Sequence, residues 1–236
     1  LLAPTAGLWV NPTLYKGRLP FDPERDLAPI VMAVTLPSVV MVHPSMPVNS
    51  FAELTAFARS STTPINYASS GAGNPSHLGM ELYKRAASID MTHVPYKGGA
   101  PALQDLMSGQ VSVMMAIGPE SMPMAKAGRM KALAVTTAKR SPAYPGLPAV
   151  SETKGFANFE LLHWFALLAP ARTPDAVIAL LNKNVNDILK DPEVKNKLLE
   201  MGMELEGGSP QRLAETIKRD RLKWEKVIIE SNIRID

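Results

Sequence analysis

The chain has 236 residues, 46% of them hydrophobic and 20% charged, which is typical of a globular protein and not of a disordered one. Its formal net charge of +3 comes with only 6% aromatic residues and with no basic run longer than a pair, so a nucleic-acid groove is disfavoured. Because there are no cysteines, disulfides, thiolate metal sites and cysteine catalysis are excluded, and no apolar run reaches the ~20 residues of a membrane span.

The first apolar segment, residues 29–43, contains Pro37 near its middle. Two short strands that meet at a bend fit this segment better than a helix, because a proline inside a helix costs about 3 kcal/mol. Ser50 and Glu53 then form a capping-box pattern, which predicts that a helix begins there.

Three units of strand, glycine-containing turn and helix follow. We expect their strands at residues 64–68, 91–96 and 111–117, and a further strand at 131–136. A helix between successive strands is typical of a parallel sheet with crossover connections. The segment therefore predicts an α/β domain.

The rest of the chain comprises a turn-rich segment at 141–156, an apolar strand at 159–169 and three helices. Thr173, Asp191 and Ser209 each precede a proline, which is the pattern of an N-cap followed by the first helical position.

Two proline-bent apolar segments, at 29–43 and 141–169, flank the three repeats and predict two crossings between two domains. We expect domain 1 to comprise residues 1–37 and 139–236, including the hinge crossings, and domain 2 to comprise residues 38–138. Clefts between two such domains commonly bind small ligands.

The stretch YASSGAGNPSHLGMEL at 67–82 leads into the first helix of the repeats. It lacks the G-x-S-x-G of a nucleophile elbow, and no acid–base partner for its serines can be placed from the sequence. It also lacks the Gly-Lys-Ser/Thr of a P-loop, and it matches a dinucleotide fingerprint only at the first two glycines. We therefore expect no catalysis and no cofactor, and interpret the stretch as a site that only binds.

The loops at 69–76, 96–100 and 117–121 should share one rim, because the carboxyl ends of parallel strands lie at the same edge of a sheet. Each loop opens a helix, whose N-terminus offers free amide hydrogens and about half a positive charge. The rim therefore predicts a site for a carboxylate. The alternative is that Ser76 is only an N-cap and that the glycines only turn the chain.

The other candidate residues give weaker signals. Lys97 could pair with an anion or face solvent, and Trp164 is more typical of a core than of a ligand contact. The histidines lack metal-ligand spacing, which favours structural roles for all four of them: His43, His77, His93 and His163.

Several motifs occur in a fixed order along the chain. They are Asn11-Pro12 to Tyr15, Pro20–Pro23 with Asp26, Asn66–Gly71 with Gly73 and His77-Leu78, His93–Gly98 with Pro101–Leu103, Gly109–Val111, Ala132–Thr136 with Lys139–Pro142, and Trp164 to Pro170. In this order they resemble the substrate-binding proteins of tripartite tricarboxylate transporters, the Bug or TctC family, nearly end to end.

The resemblance implies an α/β fold similar to type II periplasmic binding proteins, with two domains joined by two crossing strands. It implies a monomeric periplasmic receptor that binds a di- or tricarboxylate, or an aromatic carboxylate, between the domains and hands it to membrane permease subunits. The ligand-binding residues that it implies are Ser69, Ser70, Gly71, Gly73, Asn74, Ser76, Lys97, Gly98, Gly99, Ala100, Ile117, Gly118, Thr5, Ala6 and Gly7.

The chain departs from the family pattern in two places. The family begins with a strand, a glycine-rich loop and a helix, and this chain starts after them without a visible signal peptide, so we expect an incomplete domain 1 whose ligand loop is Thr5–Gly7. Ala116 stands where many members carry an acid, which disfavours an amino-acid ligand. Two alternatives stay open: a ligand-sensing subunit for a signalling partner, and an enzyme on the same α/β scaffold.

Overall fold

The computed structural model describes residues 2–15 and 19–234 of the chain. The chain forms two compact units: unit 1 comprises Leu1–Leu36 and His163–Asp236, and unit 2 comprises Pro37–Leu162. The first boundary between the units follows Leu36, one residue before the expected boundary after residue 37. The second boundary follows Leu162, whereas we expected it after residue 138. Thr136 and Leu161 explain the difference, because they exchange hydrogen bonds of 2.6 and 2.8 Å that hold residues 139–162 on unit 2.

The helices and strands alternate along most of the chain. In order they are β1 (Leu2–Pro4), α1 (Thr5–Tyr15), α2 (Pro23–Asp26), β2 (Leu27–Val42), α3 (Phe51–Ser60), β3 (Asn66–Ser69), α4 (Pro75–Ala87), β4 (Thr92–Pro95), α5 (Gly99–Ser108), β5 (Val113–Ile117), α6 (Gly118–Lys126), β6 (Lys131–Val135), a 3-10 turn (Val150–Glu152), β7 (Leu162–Pro170), α7 (Asp175–Ile188), α8 (Pro192–Glu200), β8 (Glu204–Leu205) and α9 (Pro210–Glu230).

The sheet of unit 2 has the strand order β6–β2–β5–β3–β4. β3 is parallel to both of its neighbours, with Tyr67 opposite His93 on β4 and Val113 on β5. β2 is antiparallel to β5 and β6. The predicted strand–turn–helix units and their parallel sheet are confirmed, and the loops that follow β3, β4 and β5 therefore lie at one edge.

Helices cover both faces of this sheet. On one face Leu103 and Leu106 of α5 are buried with Met114 of β5. On the other face α4 lies so close to β5 that a Cβ on Gly79 would lie 3.1 Å from the Met115 sulfur, and it would also clash with the Leu161 side chain. This close packing fixes where the N-termini of the helices meet the rim.

β2 is one continuous strand, so the expectation of two short strands that meet at a bend is wrong. Pro37 is compatible with a strand because the chain exchanges partners there: Val34 and Thr35 pair with β8, whereas Ser38–Val42 pair with β5 and β6. A proline without an amide hydrogen is tolerated where strand pairing changes. The same point is the division between the units.

Unit 1 is built on β1, β7, the first half of β2 and β8. β1 runs antiparallel to β7, and β8 pairs with β2. The core contains Trp9, Trp164, Leu168, Leu213 and Ile217, all buried, so Trp164 has the core position that its type favoured. Within residues 2–15 and 19–234, no helix is both long and apolar enough to cross a bilayer.

Most of the predicted helix caps are present. Asp191 and Ser209 accept hydrogen bonds from Glu193 and Arg212 amides, as the sequence indicated. Thr173 does not cap α7, because α7 begins one residue later than the pattern indicates and Pro174, which has no side-chain acceptor, has the N-cap position.

Candidate ligand-binding site

The rim of unit 2 consists of the three junctions at which β3, β4 and β5 pass into α4, α5 and α6. The unit 2 residues that the sequence analysis gave as ligand-binding all lie at these junctions. The first two are joined directly, because the Tyr96 amide donates to the Ser69 carbonyl at 3.0 Å and the Gly98 amide to the Ser70 carbonyl at 3.2 Å. These two junctions thus form one hydrogen-bonded surface.

The three helices that begin at the rim lack side-chain caps. Their N-cap residues are Asn74, Gly98 and Ile117, and none of the three accepts a hydrogen bond from the first turn with its side chain. In contrast, α2, α3, α8 and α9 are each capped by an aspartate or a serine. Since the first amides of a helix have no intrahelical acceptor, the rim presents three N-termini that can accept an anion.

Ser70 and Ser76 form a hydroxyl pair between the loop and α4. The Ser76 Oγ accepts the Ser70 amide hydrogen at 2.9 Å and lies 2.9 Å from the Ser70 Oγ. One hydroxyl proton is used between the two oxygens, so the other can be donated to a ligand. Ser76 is therefore not the N-cap that the alternative interpretation required: it is the second residue of α4, and Asn74 has the cap position.

Several loop amides are already used inside the loop, which the sequence did not indicate. The amides of Ser70, Gly71, Gly73 and Asn74 donate respectively to Ser76 Oγ, Ser69 Oγ, His77 Nδ1 and the Gly71 carbonyl. The Asn74 side chain donates to the Ser70 carbonyl at 3.0 Å, and its second amide hydrogen remains for another acceptor. The donors that α4 offers are thus its first-turn amides at Ser76 and His77.

Glycines shape the rim at two positions. Gly71 and Gly98 have φ of 142° and 115°, in the region that L side chains rarely adopt. A Cβ on Gly98 would meet nothing within 4 Å, so this glycine keeps the backbone of the α5 N-terminus open. Lys97 beside it is exposed.

Two further side chains border the rim, and sequence reasoning missed one of them, Tyr144. A Cβ on Gly99 would lie 2.6 Å from the Glu120 Oε2, so a carboxylate stands beside the N-terminus of α5. A Cβ on Gly118 would lie 2.5 Å from the Tyr144 hydroxyl. Glu120 belongs to the segment 117–121 that we expected at the rim, whereas Tyr144 has no sequence signal because it lies in a turn distant along the chain.

Ser38 is a second residue without a sequence signal. It lies opposite Ile117 in the ladder of β2 and β5, and its side chain is fully buried. Its carbonyl accepts two hydrogen bonds from Thr136, and among the described residues its Oγ has no partner.

His77 and His93 have structural contacts, as the absence of metal spacing favoured. Their rings stack at a centroid distance of 3.8 Å, and the His93 Nε2 lies 2.6 Å from the Ser69 Oγ. Burial lowers the pKa of His77 to about 4 and also lowers the pKa of His93, so both rings are neutral at pH 7. Among residues 2–15 and 19–234, no three histidine or acidic side chains are grouped as a metal site would require.

Thr5–Gly7 lie in unit 1, at the start of α1 directly after β1. The expected ligand loop is therefore the opening turn of a helix, because no residue separates the strand from it. A role in binding for Thr5, Ala6 and Gly7 stays a prediction.

Solved structures of solute-binding proteins share this fold. The chain superposes on R. palustris Rpa4515 with adipate with a TM-score of 0.87 at 34% identity, over 99% of this chain and 77% of that one. It superposes on the periplasmic binding protein BugD with a TM-score of 0.82 at 30% identity, over 99% and 78% of the two chains. For MatC (Rpa3494) from Rhodopseudomonas palustris with bound malate the TM-score is 0.80 at 26% identity, over 96% and 78%. The fold is thus that of the α/β periplasmic binding proteins.

The sequence comparisons specify the family. Residues 2–233 match the tripartite tricarboxylate transporter family receptor. The UPF0065 protein in the tcbD-tcbE intergenic region of Pseudomonas sp. (strain P51) is 34% identical over 98% of this chain and 68% of that protein. Protein BugT of Bordetella pertussis (strain Tohama I) is 27% identical over 92% of this chain and 66% of that protein. The chain therefore belongs to the tripartite tricarboxylate transporter receptor family.

Proposed function

We propose that this protein is a periplasmic receptor that binds a small organic carboxylate reversibly and delivers it to the permease subunits of a tripartite tricarboxylate transporter. The observation that carries the proposal is the rim of unit 2, where three helices begin without side-chain caps and the first of them, α4, begins beside the Ser70–Ser76 hydroxyl pair. Two similar proteins were solved with adipate and with malate, which supports a small dicarboxylate as the class of ligand.

In this proposal one carboxylate of the ligand sits at the start of α4. The Ser70 and Ser76 hydroxyl pair donates its spare proton, and the first-turn amides of Ser76 and His77 donate from the helix. The two remaining junctions complete the unit 2 side with Lys97–Ala100 and Ile117–Gly118. Thr5–Gly7 are proposed to contribute from unit 1, and the receptor acts as a monomer without a cofactor.

Isothermal titration against a panel of di- and tricarboxylates that includes adipate and malate tests this proposal. Ser70→Ala should weaken binding by roughly 1–3 kcal/mol, the range for a hydrogen bond to a charged group, with little change in melting temperature. Ser108→Ala is the matched control, because Ser108 is exposed at the far end of α5. A panel in which no carboxylate binds, or equal affinity for the Ser70 variant, would contradict the proposal.

The alternative of an enzyme has one observation behind it, the contact of 2.6 Å between Ser69 Oγ and His93 Nε2. A nucleophile must reach its substrate, but Ser69 is fully buried and its hydroxyl also contacts Gly71. We therefore propose binding without turnover. Ser69-dependent hydrolysis of esters or amides at enzyme-like rates would favour the enzyme instead.

A further inference from the structure

The ligand loop at 70–74 is fixed by a side chain that follows it in α4. The Gly73 amide donates to the His77 Nδ1 at 3.0 Å, and both residues are buried. A ring nitrogen that accepts a hydrogen bond carries no proton, so the ring proton of neutral His77 is on Nε2. This hydrogen bond connects the loop to α4, the helix that follows it.

His93 supports the same loop from β4. Its ring stacks on that of His77 with an interplanar angle of 11°, and its Nε2 contacts the Ser69 Oγ. Ser69 Oγ in turn accepts the Gly71 amide hydrogen at 3.2 Å. The two stacked rings therefore hold the loop at two points, Gly71 and Gly73.

Burial, more than any neighbouring charge, lowers the pKa of His77 and keeps its ring neutral at the pH of a binding experiment. Glu81 and Lys84 face it from α4, and Tyr67 stacks on His93 from β3. The Glu81 carboxylate is engaged by the Tyr67 hydroxyl at 2.6 Å and by the Lys84 Nζ at 2.8 Å, so its attraction for a histidine proton is largely satisfied. Burial, the neighbouring His93 and Lys84 lower the pKa of His77.

We infer that His77 is a positioning residue for ligand binding: its Nδ1 holds the Gly73 amide, and this bond orders the loop so that the Ser70–Ser76 hydroxyl pair and the first amides of α4 face the ligand. The inference rests on the proposed function. Without the Nδ1 acceptor the buried Gly73 amide loses its partner, and the loop must be ordered again each time a ligand binds.

Two substitutions distinguish the effect of losing the hydrogen-bond acceptor from the effect of losing the imidazole ring. His77→Leu removes the acceptor and keeps an apolar side chain, whereas His77→Asn retains an oxygen near the position of Nδ1. In titrations with adipate and malate at pH 7.5, His77→Leu should weaken binding at least tenfold, and His77→Asn should remain within about threefold of the parent chain. His43→Asn is the matched control, because the His43 ring hydrogen-bonds Ser45 at a turn outside the rim.

A second measurement does not require a ligand. The ¹⁵N shift of the His77 Nδ1 should be that of an unprotonated ring nitrogen, and hydrogen exchange at the Gly73 amide should accelerate in His77→Leu and recover in His77→Asn. Loss of binding in both variants alike, or unchanged Gly73 exchange in His77→Leu, would overturn the inference. If the parent chain binds no carboxylate of the panel, the proposed function fails, while the Gly73 exchange pattern still decides whether His77 positions the loop.

Discussion

Acid should destabilise unit 2 through His77. Burial lowers the pKa of His77 from 6.5 to about 4, so between these values the unfolded chain binds a proton that the folded chain does not. Stability is therefore full above pH 6.5 and falls as the pH approaches 4. The proton-binding polynomial of His77 is 1 + 10^(pKa − pH). At pH 5 its value for the unfolded chain is about 30 times its value for the folded chain, which corresponds to a loss of about 2 kcal/mol of unfolding free energy.

A comparison of the parent chain with a His77 variant isolates the contribution of His77 between pH 7 and pH 5. The pKa values of Glu152 and Asp187 are lowered to about 2 by their ion pairs, so these carboxylates remain ionised throughout the window. His93 has a pKa lowered by burial and adds to the effect in unit 2. His163 is fully buried with a pKa of about 4, but it lies in unit 1.

The assay must distinguish the two units, and the sequence makes this possible. All three tryptophans, Trp9, Trp164 and Trp224, lie in unit 1, so tryptophan fluorescence reports on that unit. Hydrogen exchange of amides in β3 and β5 reports on unit 2. Urea titrations of the parent chain and of His77→Asn at several pH values should show that the variant loses about 2 kcal/mol less in unit 2 between pH 7 and pH 5. An equal loss of unit 2 stability between pH 7 and pH 5 in both proteins would refute the reasoning. As a control, the fluorescence transition of unit 1 should be unchanged by the substitution.

Three further predictions concern packing and backbone. Gly98→Ala should weaken carboxylate binding and destabilise unit 2 by about 1 kcal/mol, because Gly98 has φ of 115°, whereas Gly146→Ala, which meets nothing within 4 Å, should leave titration and melting unchanged. Gly79→Ala should destabilise unit 2 by about 1–3 kcal/mol in urea, since its Cβ would clash with Leu161, and an unchanged midpoint would contradict this packing. Tyr67→Phe should cost about 1–3 kcal/mol, because it leaves a buried carboxylate with one donor fewer, and the same stability as the parent chain would show that this bond contributes nothing.

The outline of unit 2 could be predicted because its signals are local. Glycine turns between apolar segments set the strand–turn–helix order, and a parallel sheet follows from that order whatever the distant residues are. The caps Asp191 and Ser209 are equally local, since the side chain and the amide that it accepts are close in the chain. Thr173 has the same pattern, but α7 begins one residue later, with Pro174 and not Thr173 at the N-cap position.

The sequence predicted that the three junctions meet at one edge, but it did not predict the hydrogen bonds of their residues. The three junctions lie at one edge because their strands are parallel, and this follows from the order of strands and helices along the chain. The role of each junction residue in binding stays a prediction. Which donors remain for a ligand depends on contacts between segments: His77 and Ser76 take two of the loop amides. Glu120 lies beside Gly99 because α6 packs next to α5. No local pattern encodes such contacts.

The sequence by itself determined the family, the parallel order of β3, β4 and β5, and the glycines and serines at their ends, because these follow from residue types at short spacing. Only the tertiary structure decided that β2 runs unbroken through Pro37, that the second division lies at Leu162, and that His77 and His93 stack beneath the ligand loop. The physical reason is that strand pairing, burial and ring stacking join residues far apart in the chain, and their energies are set by the partner and not by the residue alone.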